Sequence, residues 1–500
     1  MTDLKTFSEN FAGGKTQLVW KTIPGDLETP VSAYLKLCGE NPYCFLLESV
    51  EGGATLGRYS IIGLAPDFLW RCDIKTKTAY TAAADSVWNK EGEAPLPSLR
   101  KAIAACRIDV IPEGLPPMAV SGLFGYMGYD MVRLAEDVPD ANPDNLNIPD
   151  SVLMRPSMLC IFDNVKNVIT LVTPVYAHAK NSTQVAETAF SAAQGRVNAA
   201  LGKLQTAIDF KADQKPSSLP LPLPVESNTS REGYHKMVDR AVEYIRAGDI
   251  FQAVLSQRFT VPFDLSSFTL YRSLRRMNPS PFLFHVKFED FALVGASPEI
   301  LVRVRDNELT IRPIAGTRIR GKSKTEDLEL AADLLADPKE RSEHLMLLDL
   351  GRNDVGRAAE IGSVKVTDQF IIEYYSHVMH IVSNVVGTLR SDLDIVDALL
   401  AGFPAGTVSG APKVRAMEII EELESARRGF YAGCIGYISG NGVLDTCIAL
   451  RTGLVKDGKL TLQAGAGIVA DSVPDSEFNE CVNKAKAMVA AAEEAVRSSR

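Results

Sequence analysis

Two pairs of glutamates are the residues of this 500-residue sequence best suited to hold a metal ion. Glu340 and Glu343 stand in "DPKERSEHLMLLDL", and Glu477 and Glu480 stand in "PDSEFNECVNK". On a helix, residues spaced i,i+3 share one face, and paired carboxylates suit Mg²⁺, which prefers oxygen ligands. Either pair alone also fits a solvated helix start, where acids favour the dipole. Together they predict two helices that converge on one ion.

A run of small residues, "AGAGIVAD", precedes the second pair. We expect a loop here, in which Gly465 and Gly467 let backbone N–H groups approach an anion. The run lacks the lysine of a P-loop and the third glycine of a dinucleotide loop, so the anion is predicted to be a carboxylate. Small loops are also expected at "PIAGTRIRG" and at "PAGTVSGAPK". The second of these ends at Lys413 and predicts either a second carboxylate site at a helix start or a tight turn.

Three further residues could move protons. Glu299, in "GASPE", follows an apolar strand, and a carboxyl held there in apolar surroundings would have a raised pKa, as a general acid requires. His377 and His380, in "HVMH", are predicted to lie on adjacent turns of a helix. They lack a third ligand for zinc, so one is either an acid/base group or a buried core histidine.

The composition is that of a globular protein and excludes several classes. Hydrophobic residues make up 46% and charged residues 23%, the formal net charge is −9, and no basic run suggests nucleic-acid binding. The eight cysteines are scattered without metal spacing, which is typical of reduced thiols in the cytosol. No signal peptide and no apolar run of membrane-spanning length is evident. We therefore expect a cytoplasmic protein without a membrane partner.

The elements that must position these residues fall into two regions. Short apolar runs that predict strands fill residues 15–175, and an alanine-rich helical stretch follows them. Four prolines within residues 216–224 predict a linker or an extended edge segment. Because strands and helices are grouped rather than alternating, the pattern favours an α+β fold. We predict an N-terminal region at 15–205, a linker at 206–230 and a catalytic core at 231–497. The segment "SREGYHKMVDRAVEYIRAGDI" predicts a helix with Ser230 as its N-cap and a glycine near its end.

Several segments in order resemble those of the chorismate-utilising enzymes. They cover most of residues 230–490 and include "DIFQAVLSQRF", "GASPE", "RPIAGTRIRG", "EHLMLLDLGRND", "PAGTVSGAPKVRAMEII" and "AGAGIVADSVPDSEFNECVNKA". Within that family the chain is similar to the large subunits, component I, of anthranilate synthases, and "LLES" at 46–49 is similar to their N-terminal region. The resemblance implies a layered sandwich of two facing β-sheets flanked by helices.

The resemblance also implies roles for single residues. Mg²⁺ would bridge one substrate carboxylate to Glu343 and Glu480, with Glu340 and Glu477 acting directly or through water. Glu299 would protonate the departing C4 hydroxyl, and His380 would assist the later elimination in preference to His377. Thr317 completes the implied catalytic set, and the implied substrate-binding residues are Gln252, Ala315, Gly316, Thr407, Tyr431, Arg451, Gly465, Gly467 and Lys484.

Two positions distinguish branches of that family. Gln252 stands where relatives that activate water carry lysine, and Ala315 stands where aminodeoxychorismate-forming relatives commonly carry lysine. The resemblance therefore implies attack of ammonia at C2, giving anthranilate and pyruvate, the first step of tryptophan biosynthesis. A separate glutamine amidotransferase subunit would supply the ammonia. The alternatives are an aminodeoxychorismate synthase component I and a non-catalytic tryptophan-sensing subunit; oligomeric state stays open.

A feedback site for tryptophan is implied by the same resemblance. Leu283 stands where some members have methionine, and Arg58 would substitute for a lysine that some have after "LLES". The expected site comprises Glu48, Ser49, Arg58, Pro281, Phe282, Leu283, Tyr437 and Cys447.

Overall fold

The computed structural model describes residues 3–51, 55–83, 87–177, 183–208, 216–375 and 378–500. Short 3₁₀ turns occupy Pro117–Ala119, Tyr129–Leu134 and Gly406–Val408. Helices in the described residues are α1 (Leu4–Ala12), α2 (Pro30–Leu37), α3 (Pro95–Ala104), α4 (Thr183–Leu204), α5 (Arg231–Ala247), α6 (Ser267–Met277), α7 (Lys324–Ala336), α8 (Pro338–Ala358), α9 (Ile395–Gly402), α10 (Lys413–Leu423) and α11 (Pro474–Ser498).

Strands in the same residues are β1 (Gln17–Pro24), β2 (Cys44–Glu51), β3 (Thr55–Asp73), β4 (Thr78–Ala82), β5 (Asn89–Lys90), β6 (Gly122–Met127), β7 (Ser151–Asp163), β8 (Val168–Val175), β9 (Glu226–Ser227), β10 (Gln252–Pro262), β11 (Phe282–Lys287), β12 (Phe291–Ser297), β13 (Ile300–Arg305), β14 (Glu308–Ile311), β15 (Ile314–Ile319), β16 (Lys365–Tyr374), β17 (Val378–Thr388), β18 (Gly410–Ala411), β19 (Cys434–Ser439), β20 (Leu444–Ile448), β21 (Thr452–Lys456) and β22 (Lys459–Ile468).

Antiparallel pairings join the described strands into one hydrogen-bonded network. Early strands pair with late ones, β2 with β11 and β6 with β19, so the two ends of the chain share one structure. The longest contact of the core is β10 with β22, in register from Ala253 opposite Ile468 to Pro262 opposite Lys459. The predicted mixture of helices and strands is present, whereas the finer arrangement of two facing sheets stays a prediction.

Two apolar clusters stabilise this network. One contains the stacked rings of Phe45, Phe124 and Tyr437 between N-terminal and C-terminal strands. The other lies where α5, α6 and α11 pack near β10 and β22, and it buries Tyr234 and Met488 completely or nearly so. Burying such side chains contributes roughly 1.5–3 kcal/mol each. The second cluster therefore fixes the position of α11 against the strand that carries Gly465 and Gly467.

Several local predictions are confirmed. Ser230 caps α5 by accepting a hydrogen bond from the Gly233 N–H, and Gly248 ends that helix in the left-handed conformation. The two acidic segments begin helices as expected, α8 after the cap residue Asp337 and α11 at Pro474. No helix of the described segments is long and apolar enough to cross a membrane.

Three local predictions are wrong. The segment after "HVMH", expected to be helical, is strand β17, because its valines and isoleucines are β-branched and are buried between β14, β15 and β16. The expected loops "AGAG" and "PIAGT" are also strands, parts of β22 and β15. In both segments, pairing with a neighbouring strand overrides the local preference of small residues for turns.

Candidate active site

One cavity of about 1100 Å³ is lined by every residue to which the family resemblance assigns a role in catalysis, substrate binding or metal binding. Its walls come from β10, β15, β17 and β22 and from the N-terminal parts of α8 and α11. The assigned residues on this surface are Gln252, Glu299, Ala315, Gly316, Thr317, Glu340, Glu343, His380, Thr407, Tyr431, Arg451, Gly465, Gly467, Glu477, Glu480 and Lys484.

Glu299 has the properties of a general acid. It lies between β12 and β13 with only 6% of its surface exposed, and Thr407 Oγ1 donates a hydrogen bond to its Oε1 at 3.1 Å. Burial raises the pKa of Glu299 to about 8, although the Thr407 hydroxyl and the charge of Arg451 act in the opposite direction. The carboxyl is therefore mostly protonated at neutral pH and can donate a proton into the cavity.

His380 has the properties of a neutral base. It lies directly opposite Thr317 in the β15–β17 register, and its Nδ1 is 3.0 Å from Thr317 Oγ1 and 3.1 Å from the Gly316 carbonyl oxygen. A carbonyl oxygen only accepts, which assigns the hydrogen to Nδ1 and leaves Nε2 with a free lone pair. Burial lowers the pKa of His380 to about 4, so the ring is neutral. His377 lies outside the described residues.

The two glycines of β22 permit unusually close contacts. A Cβ atom on Gly465 would lie 2.9 Å from the Tyr431 hydroxyl, and one on Gly467 would lie 2.6 Å from Gln252 Nε2. Any larger residue would therefore displace two side chains that line the cavity. Arg451 lies on the same surface and forms no ion pair with a carboxylate in the described part of the chain. Its charge is available to the carboxylate of a ligand.

The predicted acidic pairs lie at two neighbouring helix starts. Burial, followed by repulsion from Glu340 and Glu480, raises the pKa of Glu343. Burial and the charge of Glu480 likewise raise the pKa of Glu477, against a lowering hydrogen bond from Ser472. The mutual repulsion shows that the carboxylates of α8 and α11 act on one another across the cavity, and a cation between them would relieve it.

These carboxylates alone do not enclose a metal ion. Among the described residues, no three His, Cys, Asp or Glu side chains are grouped closely enough to enclose an ion. Arg318 Nη1 donates to Glu340 Oε1 at 2.9 Å, and Lys484 Nζ is 2.7 Å from Glu480 Oε1. Mg²⁺ keeps several waters and takes one or two protein carboxylates. The donor set therefore fits Mg²⁺ shared with water and substrate.

The amine of Lys484 and the amide of Gln252 are two further polar groups in the cavity wall. Lys484 Nζ also donates to the Gly465 carbonyl oxygen at 2.9 Å, which ties α11 to β22. Gln252 is almost fully buried, and its Oε1 has no hydrogen-bond partner within the described segments. A buried acceptor without a donor costs free energy. Gln252 is thus poised to accept a hydrogen bond from a ligand in the cavity.

Comparisons with known proteins agree with this geometry. A family model described as chorismate binding enzyme matches residues 63–490. The chain belongs to that family. The chain is similar to anthranilate synthase component 1 of Cereibacter sphaeroides, with 52% identity over 99% of this chain and 98% of the relative. It is also similar to the protein of that name from Pseudomonas aeruginosa, with 46% identity over 94% and 95% of the two chains.

A solved structure extends the similarity of this chorismate binding enzyme to three dimensions. The crystal structure of anthranilate synthase component I from Streptococcus pneumoniae superposes with a TM-score of 0.76 at 37% identity, covering 93% of this chain and 98% of that one. The match supports the mixed α/β fold of the family. A menaquinone-specific isochorismate synthase from Escherichia coli, at 19% identity and a TM-score of 0.68, shares the fold.

The expected feedback residues of this chorismate binding enzyme lie outside the cavity, around the β2–β11 pair. Leu283 stands opposite Glu48 in the register, Phe282 begins β11, and Pro281 comes directly before that strand. Ser49 follows Glu48 and lies so close to Gly57 that a Cβ there would be 2.4 Å from Ser49 Oγ. Glu48 is buried and accepts hydrogen bonds from Arg275 Nε at 2.7 Å and from the Tyr271 hydroxyl.

The remaining three expected feedback residues differ in burial: two are buried and one is exposed. Tyr437 and Cys447 are buried on the paired strands β19 and β20, and the Tyr437 hydroxyl has no hydrogen-bond partner among the described residues. Arg58 is exposed and forms an ion pair with Asp163 at 3.2 Å. Seven of the eight therefore lie on or beside β2, β11, β19 and β20, whereas Arg58 pairs with Asp163 on β7.

Sequence reasoning missed several lining residues and misplaced one. Lys339, Tyr375 and Asn483 line the cavity, and only their position beside motif residues could have identified them. Lys413, expected to bind a second carboxylate, instead forms a buried ion pair with Asp354, with Nζ 2.8 Å from Oδ1. That expectation is wrong, because a neighbouring helix already neutralises the lysine.

Proposed function

We propose that this chain catalyses the anthranilate synthase reaction as its component 1, converting chorismate and ammonia to anthranilate and pyruvate in tryptophan biosynthesis. The observation that carries the proposal is one cavity holding a protonated Glu299, a neutral His380 and two acidic helix starts. The near full-length similarity to anthranilate synthase component 1 supports the same reaction.

The first chemical step is displacement of the C4 hydroxyl. Glu299 gives its proton to that hydroxyl, and the C4–O bond breaks to release water while ammonia forms a bond to C2 and the ring double bonds shift. The ammonium group formed at C2 then loses one proton to water. The unpaired Gln252 Oε1 accepts a hydrogen bond from the ammonia and orients it. Ala315 is small and uncharged, so it leaves this side of the ring open. General acid catalysis of this kind contributes about 10²–10⁴-fold.

The second step is loss of pyruvate. Nε2 of His380 accepts the proton of C2, the C3–O bond breaks, and the ring becomes aromatic. The hydrogen bonds of Nδ1 to Gly316 and Thr317 hold the imidazole in the tautomer that this step requires. The enolpyruvate that leaves takes up a proton at its methylene carbon and becomes pyruvate.

Substrate binding uses the rest of the cavity. The enolpyruvyl carboxylate pairs with Arg451 and accepts hydrogen bonds from Tyr431 and from the backbone of β22. The ring carboxylate lies near Lys484 and the acidic helix starts. Mg²⁺, held by Glu343 and Glu480 with Glu340 and Glu477 direct or through water, would neutralise and orient this carboxylate.

Two further parts of the proposal concern the rest of the chain. A glutamine amidotransferase subunit supplies ammonia, as the name component 1 of the relatives suggests. The regions 15–205, 206–230 and 231–497 serve as an N-terminal regulatory region, a linker and a catalytic core, layered as two facing sheets. The pairing of β2 with β11 and of β6 with β19 supports a close connection between the first region and the core.

The purified chain with chorismate, MgCl₂ and ammonium salt at alkaline pH tests the reaction. Blue anthranilate fluorescence that EDTA abolishes is expected, since free ammonia replaces the partner subunit. Consumption of chorismate without that fluorescence would favour aminodeoxychorismate formation instead. No consumption, with or without an added amidotransferase subunit, would favour a sensing subunit.

Tryptophan binding near "LLES" is the regulatory part of the proposal, in which an indole between β2 and β11 biases the two ends of the chain toward one arrangement. The Ser49→Phe variant is expected to keep its activity and to require at least about tenfold more tryptophan for half-inhibition, because the ring fills the space of the indole. The measurement is anthranilate formation against tryptophan concentration. The Ser391→Phe variant, at an exposed position, is the control. An inhibition curve identical to that of the unmodified chain would place the site elsewhere.

A further inference from the structure

A second cavity lies in the N-terminal region and shares no lining residue with the active site. Its volume is about 860 Å³, within the range of small-molecule sites. The walls come from the segments that follow α1 and α3, from the ends of β8, from β3 and β7, and from one face of α4. Its charged lining residues are Asp67, Arg107, Asp109, Arg155 and Arg196.

Arg155 is held rigidly in the wall of this cavity. Its Nε is 2.6 Å from Asp67 Oδ1, and its guanidinium lies 4.2 Å from the ring centre of Tyr176 and 5.4 Å from that of Phe68. Stacking and pairing of this kind fix the planar group before any ligand arrives. Arg155 therefore presents a preorganised edge, with its charge already balanced by Asp67.

Arg196 is the cation of this cavity that lacks a counter-charge. Its Nε donates to Thr173 Oγ1 at 2.8 Å and its Nη2 donates to the Pro174 carbonyl oxygen at 3.3 Å, and both acceptors are neutral. No carboxylate of the described residues forms an ion pair with it. Burial lowers the pKa of Arg196, although the charge of Asp67 acts in the opposite direction, whereas the paired Arg155 has a raised pKa. A half-buried guanidinium in this state gains from an anionic partner.

The charged residues of the cavity wall indicate which ligand charge would fit. Asp109 Oδ1 is 3.9 Å from Arg107 Nε, and Asp109 Oδ2 accepts a hydrogen bond from the Thr16 N–H at 2.9 Å. With Asp67 paired to Arg155, three arginines and two aspartates leave one positive charge, on Arg196. A ligand with a single negative charge therefore matches the cavity better than a polyphosphate.

The uncharged lining indicates an organic body for the ligand. Apolar side chains cover much of the wall: Ala104, Ala105, Pro174, Val175, Ala177, Ala189 and Ala192. Such a surface favours carbon-bearing ligands over an inorganic ion. We propose that this cavity binds a small organic monocarboxylate, with its carboxylate on Arg196 beside Arg155 and its body against the alanines of α4. The site is separate from the reaction proposed above and does not depend on it.

Benzoate is a suitable probe, and saturation-transfer NMR on the full-length chain measures its binding. Because Arg451 could also bind a carboxylate, the reference protein carries Arg451→Gln. Benzoate is expected to bind this reference, and the added Arg196→Gln change is expected to weaken binding at least about tenfold, the cost of losing a charged hydrogen-bond partner. Phenol, which has the same ring without the carboxylate, is expected to bind neither protein measurably.

Two control variants and a competition with inorganic phosphate decide the outcome. Ala189→Phe keeps Arg196 and fills the cavity, so it must abolish benzoate binding even if Arg196→Gln disturbs the fold. Arg497→Gln removes an exposed arginine of α11 and must leave binding unchanged. Equal benzoate binding with and without Arg196 would overturn the proposal. Displacement of benzoate by an equal concentration of inorganic phosphate would overturn the carboxylate assignment.

Discussion

The Glu299→Gln variant is expected to lose about 10²–10⁴-fold in kcat with chorismate and free ammonia, because an amide cannot protonate the departing hydroxyl. Glutamine keeps the shape of the side chain and can still accept the hydrogen bond that Thr407 Oγ1 donates at 3.1 Å. KM for chorismate should therefore change little. Steady-state anthranilate fluorescence measures both constants. The matched control is Glu308→Gln, which changes the exposed first residue of β14.

The pH dependence separates an acid from a structural residue. Since the pKa of Glu299 is about 8, the proton needed for the first step is present below that pH and lost above it. With saturating free ammonia, kcat of the unmodified chain should fall as the pH rises past about 8, and this limb should be absent in Glu299→Gln. Persistence of the same limb in the variant would assign it to another group.

Stability gives an independent check on the same residue. A raised pKa in the folded state means that the folded chain binds more protons than the unfolded chain between about pH 4.3 and about 8. The contribution of Glu299 to the free energy of unfolding therefore falls as the pH rises through that window. Above pH 8, Glu299→Gln should unfold at a urea concentration no lower than the unmodified chain. An earlier transition there would mean that the variant lost activity by unfolding.

Local signals in the sequence predict the parts of the site that are local in space. Proline at the first helical position and carboxylates in the first turn mark the starts of α8 and α11, and the structure has both helices there. The burial of Glu299 follows from its place between two apolar strands. In each case the neighbours in sequence are also the neighbours in the fold.

Long-range pairing explains what the sequence alone could not show. The spacing of His377 and His380 predicts a helix, yet the segment of His380 is central in the sheet because β14, β15 and β16 all pair with it. The close contacts of Gly465 and Gly467 depend on β10, about two hundred residues earlier, so the small-residue run alone predicts a loop. No sequence motif marks Arg196 of the second cavity, because its hydrogen-bond partners Thr173 and Pro174 are neutral and lie on a different element, β8.

Replacing Glu480 with glutamine is the prediction with the other large effect. Mutation of a residue that hydrogen-bonds a metal ligand commonly costs 10–100-fold in metal affinity or activity. Loss of a carboxylate that binds the ion directly should therefore lower kcat/KM by at least about a hundredfold. The side chain of Glu480 is 46% exposed and pairs only with Lys484 among the described residues, an i,i+4 contact worth about 0.3–0.5 kcal/mol. Urea unfolding should therefore change little while activity is lost.

A titration of MgCl₂ assigns that loss to the ion. Glu480→Gln should need a higher Mg²⁺ concentration for half-maximal activity, whereas Glu494→Gln, on the same helix and paired with Arg497, should match the unmodified chain. Calorimetry of Mg²⁺ binding in the presence of chorismate should show the same difference between the two variants. This measurement reports binding and does not depend on turnover. An unchanged Mg²⁺ dependence in Glu480→Gln would mean that the acids at the start of α11 serve the helix dipole, and that the ion, if required, is held by other groups.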